Sequence, residues 1–322
     1  MATLTMRPYQ GESDQHPIVD LLNICETIDC EDSYYSLIGL QQEFTSPGFD
    51  PTRDVCLWQD ANGQLVGFAQ LWIPTELVDE ADGHLWFRVH PNARNQGIEP
   101  EIIHWAESRI RQVGRTKALP AKLAVSCRDY QIERIALFER QGFTYDRCFL
   151  RMARSLSAPI PAPQFPDGFT LVDATSEFDD QASVEMYNQT FIDHWNFHPL
   201  TVEEIHHFTS DPLYRPELDL VAIAPDGTYA SFCFCYIDYE ENRHKGKNEG
   251  WVSRLGTRRG FRRLGLGRAM LLVGLHRLKT AGMETALLGV DTRNPNQAYD
   301  LYESIGFCKR FANFYYAKPI SG

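Results

Sequence analysis

Three short segments occur twice in this chain, in the same order and at nearly the same spacing. DANGQLVGFAQLW (60–72) and APDGTYASFCFCY (224–236) each join a glycine turn to an alternating strand, with Gly63 and Gly227 standing 164 positions apart. LFERQGF (137–143) and LYESIGF (301–307) keep that 164-residue offset, whereas RNQGIE (94–99) and RRLGLG (262–267) stand 168 apart. A small insertion and a compensating deletion therefore separate the landmarks. A repeat of this size is a duplicated domain, and whatever fold one half adopts the other adopts too. Between the halves lies SLSAPIPAPQFPDG (155–168), with four prolines and little charge, which reads as an extended linker. The expected organisation is one domain over 1–154, the linker, and a second domain over 169–322. The length of 322 residues suits two ordinary domains.

Each half reads in the same order. A helical N-terminal region precedes a strand hairpin, a strand runs into a glycine-containing turn, and a long amphipathic helix follows. Another strand, a short helix and a final strand complete the half. This order implies a mixed α+β fold built on a central sheet. In the second half the long helix is GRAMLLVGLHRLKTAG (267–282), with Met270, Leu271, Val273, Gly274 and Leu278 near one face and Gly282 placed to close it.

Composition removes several classes of function. The eight cysteines include no Cys-x-x-Cys pair, so they read as reduced thiols rather than a disulfide framework or a zinc site. The start MATLTMRPYQ has no apolar segment and no apolar run is long enough to span a bilayer, so the expectation is a cytoplasmic protein with no membrane partner. A net charge of −12 argues against nucleic acid as a partner and is compatible with a cationic small molecule.

One window departs from that acidic background. From Trp251 to Met283 there is no acidic residue, although the chain has 43, and eight Lys or Arg side chains fall there. The strand GWVSRLGT leads through RRGFRRLGLG into a helix, so a basic glycine loop opens a helix N-terminus, where free amides and the positive end of the helix dipole receive phosphate. Gly265 and Gly267 allow close approach of a ligand to the backbone. Arg268-Ala269 stands where a P-loop needs Lys-Ser/Thr, and Met270 where a dinucleotide fingerprint needs a small residue.

The frame RRLGLG, after a strand and before a helix, resembles the pyrophosphate signature Q/R-x-x-G-x-G/A of the GNAT superfamily of N-acetyltransferases. LLGVDTRNPNQAYDLYESIGF (287–307) is similar to that family's following strand, splayed loop and short helix. The resemblance implies two tandem GNAT-like domains, each a mostly antiparallel central sheet with a splayed strand pair flanked by helices. It implies acetyl-CoA or a related acyl-CoA as cosubstrate, and a small-molecule or peptide amine as acceptor. Carried over by position, Leu255, Gly256 and Thr257 hold the pantetheine arm, and Arg262, Arg263, Leu264, Gly265, Leu266, Gly267 and Arg268 cradle the pyrophosphate through their amides. Asn294 lines the cosubstrate and Tyr302 protonates the departing thiolate. Tyr302 also sits in an apolar helical stripe with Ala298, Leu301 and Ile305, so packing is its competing role. An acceptor ammonium must lose a proton before attack; Glu249, just ahead of the cradle strand, is the candidate base, with Glu240 and Glu241 at the end of the preceding strand beside it and a solvated position as the alternative. A non-catalytic acyl-CoA sensor is the rival reading from another class.

The stretch TFIDHWNFHPLTVEE (190–204) resembles the loop between the first two helices of two-domain members similar to mycothiol synthase. Asp193, His194 and Trp195 are then substrate contacts, with core packing of Trp195 as the competitor. His194, His198, His206 and His207 suggest a metal, but Pro199 ends any helix beside His198 and no Cys or carboxylate spacing completes a set, so no metal is expected.

In the first half HLWFRVHPNARNQGIEPEIIHWAESRI (84–110) keeps the strand-to-turn pattern, including Arg94 and Gly97. Aligned with Gly267, however, is Glu99; aligned with Arg268 is Pro100, which has no N–H; and aligned with Tyr302 is Phe138. A degenerate N-terminal domain and a catalytic C-terminal one follow, with binding of CoA by the first in a distorted pose as the alternative.

Overall fold

A computed structural model describes residues 4–29, 33–77, 79–176 and 178–321; Cys30 lies outside them. It divides into two compact units, Met1–Arg147 with Asn313–Gly322, and Cys148–Ala312.

The first unit runs β1 (Thr5–Pro8), α1 (Gln15–Asp29), α2 (Leu37–Phe44), α3 (Pro51–Asp54), β2 (Val55–Gln59), β3 (Leu65–Trp72) and β4 (Ala81–Val89). It continues through α4 (Ile98–Lys117), β5 (Ala121–Arg128), α5 (Ile132–Arg140) and the start of β6 (Thr144–Ser155). The second unit runs through the rest of β6, β7 (Thr170–Asp173), α6 (Asp180–Phe191), α7 (Val202–Thr209), β8 (Asp219–Ile223) and β9 (Tyr229–Tyr236). Then come α8 (Tyr239–Lys245), β10 (Glu249–Thr257), α9 (Leu266–Thr280), β11 (Thr285–Asp291), α10 (Ala298–Ser304) and the first residues of β12 (Cys308–Ile320).

The six strands of each unit follow the same plan. In the first the order is β1-β2-β3-β4-β5-β12, and in the second β7-β8-β9-β10-β11-β6. Every pair is antiparallel except β4 with β5 and β10 with β11. The sixth strand of each unit is exchanged: Asn313–Ile320 pair with β5, and Phe149–Ser155 pair with β11. The units therefore differ from the expected boundaries at 154 and 169 by the exchange of these segments. The proline-rich segment belongs to the second unit, where Ile160 and Phe165 pack on its core and Pro161 O contacts His276 Nε2 at 3.2 Å. That cover explains why α9 is buried without a break from Ala269 to Leu275 rather than along one stripe. Gly274 lets α9 approach β9, since a Cβ there would lie 2.7 Å from the Cys233 sulfur and 2.9 Å from that of Cys235.

In both halves the parallel pair opens into a wedge. β10 pairs with β11 only over Glu249–Trp251 and Thr285–Leu287, then follows β9 to Thr257 while β11 follows β6 to Asp291. A register shift between Val252 and Arg254 marks where β10 turns away. The repeat holds at atomic detail in the short helices: Phe143 N donates to Phe138 O and Phe307 N to Tyr302 O, both at 3.1 Å, with Gly142 and Gly306 at positive φ closing each helix.

Candidate active site

Past the open end of β10 the chain makes a 3-10 turn, Arg259–Phe261, and enters the glycine loop. Arg263 takes φ 67° and Gly265 φ 89°, the left-handed region that an arginine rarely occupies. Among the described residues the amides from Arg263 to Arg268 find no acceptor in the protein. Six consecutive donors are thus left without a partner at the start of α9, the condition for holding an anion. No atom lies within 4 Å of a Cβ built on Gly265, while one on Gly267 would come within 3.4 Å of Thr257 Oγ1.

The arginines of this window divide into two groups. Arg258 pairs with Glu185, and Arg259 with Asp193. Arg262 donates to Thr257 O at 3.1 Å, to Thr190 O at 3.0 Å and to Asp193 at 3.4 Å, so its side chain fastens the loop to β10 and α6. Arg268 donates to Ser304 Oγ at 2.9 Å, and Arg263 and Arg254 have no hydrogen bond or ion pair among the described residues.

Loop and wedge line one cleft of about 770 Å³. Leu255, Gly256 and Thr257 form one wall and Gly289, Val290 and Asp291 the other, with Asn294 and Tyr302 above the cradle. Gly256 is required where α6 crosses, since a Cβ would meet Thr190 Cγ2 at 2.3 Å. Tyr302 packs edge-on to Phe307 at 6.1 Å, and burial pushes its phenol above the ordinary range, keeping it protonated. Its hydroxyl has no hydrogen-bond partner among the described residues. Asn294 Oδ1 accepts from Asn296 N at 2.8 Å and so shapes the loop after β11.

Glu249 lies elsewhere. It is buried at the closed end of the wedge, pairs in register with Thr285, and receives Arg310 NH1 at 2.8 Å with Lys245 Nζ 3.5 Å away. Eight residues of strand, roughly 26 Å, separate it from Thr257. Its carboxylate is committed to an ion cluster, and the cleft lining does not include it. Asp193 lines the cleft but is held by Arg259 and Arg262, which keep its carboxyl below the usual range. His194 Nδ1 lies 2.9 Å from Trp195 O, and both rings pack on Phe149, at 6.3 and 5.7 Å. His206 Nε2 contacts Asp180 at 2.7 Å, and among the described residues no group of His, Cys, Asp and Glu is arranged to hold a metal.

The model of the acetyltransferase (GNAT) family matches the chain twice, over residues 16–143 and 180–307. The chain belongs to the GNAT family. It is similar to mycothiol acetyltransferases: 28% identical to that of Frankia casuarinae over 272 residues (81% of this chain, 74% of the relative), and 30% identical to that of Thermobispora bispora over 249 residues (76% and 77%). Among solved structures, a GCN5-related N-acetyltransferase from Sphaerobacter thermophilus shares the fold with TM-score 0.76 at 22% identity, over 99% of this chain and 96% of that one. A tandem GNAT protein from the clavulanic acid biosynthesis pathway does so with TM-score 0.76 at 13% identity, over 99% of both chains. The protein is an N-acetyltransferase of a family that uses acetyl-CoA or acyl-CoA and acts on an amine. Among the described residues no helix is long and apolar enough to cross a membrane.

The other GNAT unit repeats the loop with its amides differently employed. Asn95 and Gly97 take φ 59° and 97°, matching Arg263 and Gly265, so that Glu99 and Pro100 stand at the positions of Gly267 and Arg268. Arg94 donates to Val89 O at 3.1 Å and to Asp29 at 2.7 Å, as Arg262 does to Thr257 O and Asp193. Glu99 Oε1, however, accepts from the Asn95 amide at 3.1 Å. The first loop thus gives one of its amides to its own carboxylate. Phe138 is buried against Phe143 at 5.9 Å where Tyr302 meets Phe307.

Sequence reasoning missed Phe149, Thr190, Arg254 and Asp291 as cleft residues. Phe149 could not be found from the second half, because strand exchange brings it from before the proline-rich segment. Arg254 carried a signal, since it stands in the window without acids.

Proposed function

We propose that the second unit transfers an acetyl group from acetyl-CoA directly to an amine, with both substrates bound at once. The run of unpaired amides from Arg263 to Arg268 carries this reading, because an open cradle is what a pyrophosphate needs, whereas the first loop gives its Asn95 amide to Glu99, sets that carboxylate at the position of Gly267 and has no N–H at Pro100. Arg263 and Arg268 add positive charge at that end. The free edge of β10 over Leu255, Gly256 and Thr257 receives the amides of the pantetheine arm, and Asn294 borders it. Acetyl-CoA supplies an activated acetyl thioester. A β10 amide in the wedge polarises the carbonyl of that thioester. As the new N–C bond forms and the C–S bond breaks, Tyr302 gives its proton to the sulfur.

No cleft carboxylate is assigned as base. Glu249 lies outside the cleft, Asp193 is bridged by two arginines, Asp291 accepts from the Arg293 amide at 2.9 Å, and Asp300, the third cleft carboxylate, stands in the first turn of α10. The acceptor reacts from its neutral amine form, and the proton that its nitrogen loses as the amide forms returns through water to the Tyr302 phenolate, restoring the phenol. Asp193 and His194, which line the cleft, border the acceptor, while Trp195 packs on Phe149 behind that lining. The name of the relatives makes a mycothiol-related amine the first acceptor to assay. The test is steady-state release of CoA thiol from acetyl-CoA over an amine panel with wild type and Tyr302→Phe. Turnover cut at least a hundredfold by the substitution, with acetyl-CoA affinity kept, supports the assignment; equal turnover overturns it.

A further inference from the structure

We infer that Arg254 is an anion-binding residue for the acceptor, so that the amine acetylated belongs to a molecule that also carries a carboxylate. This rests on the reading of the cleft as an acetyl-transfer site. The protein neutralises Arg258, Arg259 and Arg262 with its own carboxylates, Glu185 and Asp193. It leaves three cleft arginines with no carboxylate in ion-pair contact among the described residues: Arg263 and Arg268 at the cradle, and Arg254, on which Asp219 acts only as a nearby charge, roughly ten ångströms back along β10 by strand rise. On the acetyl-CoA reading the first two serve the phosphates. Arg254 flanks the wedge, where the thioester end of acetyl-CoA carries no charge, so an anion at this point must come from the other substrate.

The geometry holds the guanidinium ready for such a partner. Its carbon lies over the rings of Tyr187 at 5.4 Å and Phe208 at 4.9 Å, which orient it without using any N–H donor. Cross-strand register places Asp219, Phe234 and Arg254 in one row; burial raises the Asp219 carboxyl, Arg254 opposes that shift as a nearby charge, and no ion-pair contact joins the two. Tyr214 instead donates to Asp219 at 2.9 Å. Arg254 and Tyr187 form the wall shared by the cleft and a second pocket of about 250 Å³. Phe208, Tyr214, Phe232 and Phe234 give that pocket an aromatic side with room for an apolar group on the same acceptor, and Asp180 and Asp219 also line it.

The experiment compares L-phenylalanine, L-leucine and the dipeptide glycyl-phenylalanine with the corresponding α-amides, in thiol-release kinetics on wild type, Arg254→Gln and Arg254→Lys. In parallel, calorimetry measures binding of N-acetyl-L-phenylalanine and its amide to CoA-loaded protein. The free acids should be preferred at least tenfold in kcat/KM or in affinity, as a charge-assisted pair implies. Gln should abolish the preference through KM, Lys should keep part of it, and CoA affinity should stay within twofold. The dipeptide tells a peptide terminus from a free amino acid. Acids and amides handled alike, or Gln lowering kcat equally for both, overturns the inference. If no amine turns over yet the binding preference persists, the acetyl-transfer reading fails and the anion site stands. If amines turn over with no preference for the acids, the anion site fails and acetyl transfer stands.

Discussion

Replacing Gly267 by glutamate would give the second cradle the residue that the first one has at the equivalent position. In the first unit Glu99 reaches back to the Asn95 amide at 3.1 Å, and the matching positive-φ residues in the two loops make the same reach available from position 267 to the Arg263 amide. The carboxylate would then compete for a donor and oppose the pyrophosphate. Two like charges about 4 Å apart at an effective dielectric near 20 repel by roughly 4 kcal/mol, and a lost hydrogen bond to a charged group is worth about 1.5–3 kcal/mol. The cradle is open to solvent, so the lower end applies. A loss of about 4 kcal/mol, close to a thousandfold in affinity for CoA, is expected. Gly267→Ala is the control, since its Cβ would make a 3.4 Å contact with Thr257 Oγ1 that a small shift relieves, and affinity should change less than tenfold. A glutamate in the first turn favours the helix dipole, so thermal stability should be kept and the loss cannot be ascribed to unfolding. Isothermal calorimetry with CoA reads both affinity and stoichiometry. Affinity retained within tenfold by Gly267→Glu, or two CoA bound per wild-type chain, would refute the assignment.

Glu99→Gly should leave the stoichiometry at one CoA per chain by the same calorimetry, because Pro100 still lacks the donor that Arg268 provides. For Tyr302 the pH dependence has a definite sign. Burial raises its phenol above the ordinary value, so it stays protonated from about pH 6 to 9, and kcat/KM should climb with pH along the acceptor amine's own titration without a falling alkaline limb from Tyr302. The same shift keeps the phenol's contribution to stability intact below about pH 10 and removes it as pH rises through the folded value, measurable as a falling Tm in alkaline buffer. Glu249→Gln leaves Arg310 and Lys245 without their shared carboxylate; with Arg310 partly exposed the cost is about 2 kcal/mol, a drop of roughly 4–8 °C in Tm, while kcat/KM changes less than threefold. A large fall in kcat with unchanged Tm would return Glu249 to the reaction.

The duplication, the cradle and the tyrosine are legible in the sequence because each is local: a few residues around a fixed backbone turn carry the signal. The positive φ at Arg263 and Gly265, repeated at Asn95 and Gly97, is the physical counterpart of the RRLGLG and RNQGIE match. Pairing across the sheet is not local, and it stays hidden. Nothing in ETALLGV says that its neighbour is Phe149–Ser155 rather than the strand that follows α10, since both final strands suit the same edge. Nearness in sequence to the cradle points to Glu249 as base, but a strand is an extended rod, and eight residues carry it to the far end of the wedge.

The two halves also differ beneath the wedge, in a way the short motifs do not reveal. Positions 26 and 88 of the first unit correspond, by the 164- and 168-residue offsets, to 190 and 256 of the second. In the first unit Arg88 and Glu26 form a buried ion pair at 2.9 Å, with the guanidinium also over Trp86 at 4.8 Å. In the second, Gly256 lies against Thr190, too close for any Cβ. A buried pair cannot be undone one partner at a time, since removing either leaves an uncompensated charge costing about 3–5 kcal/mol. A glycine under a crossing helix cannot gain a side chain singly either. Each arrangement is therefore locked by two residues on different elements, which separates the halves more firmly than the three loop and helix differences at Glu99, Pro100 and Phe138, each of which a single substitution could reverse.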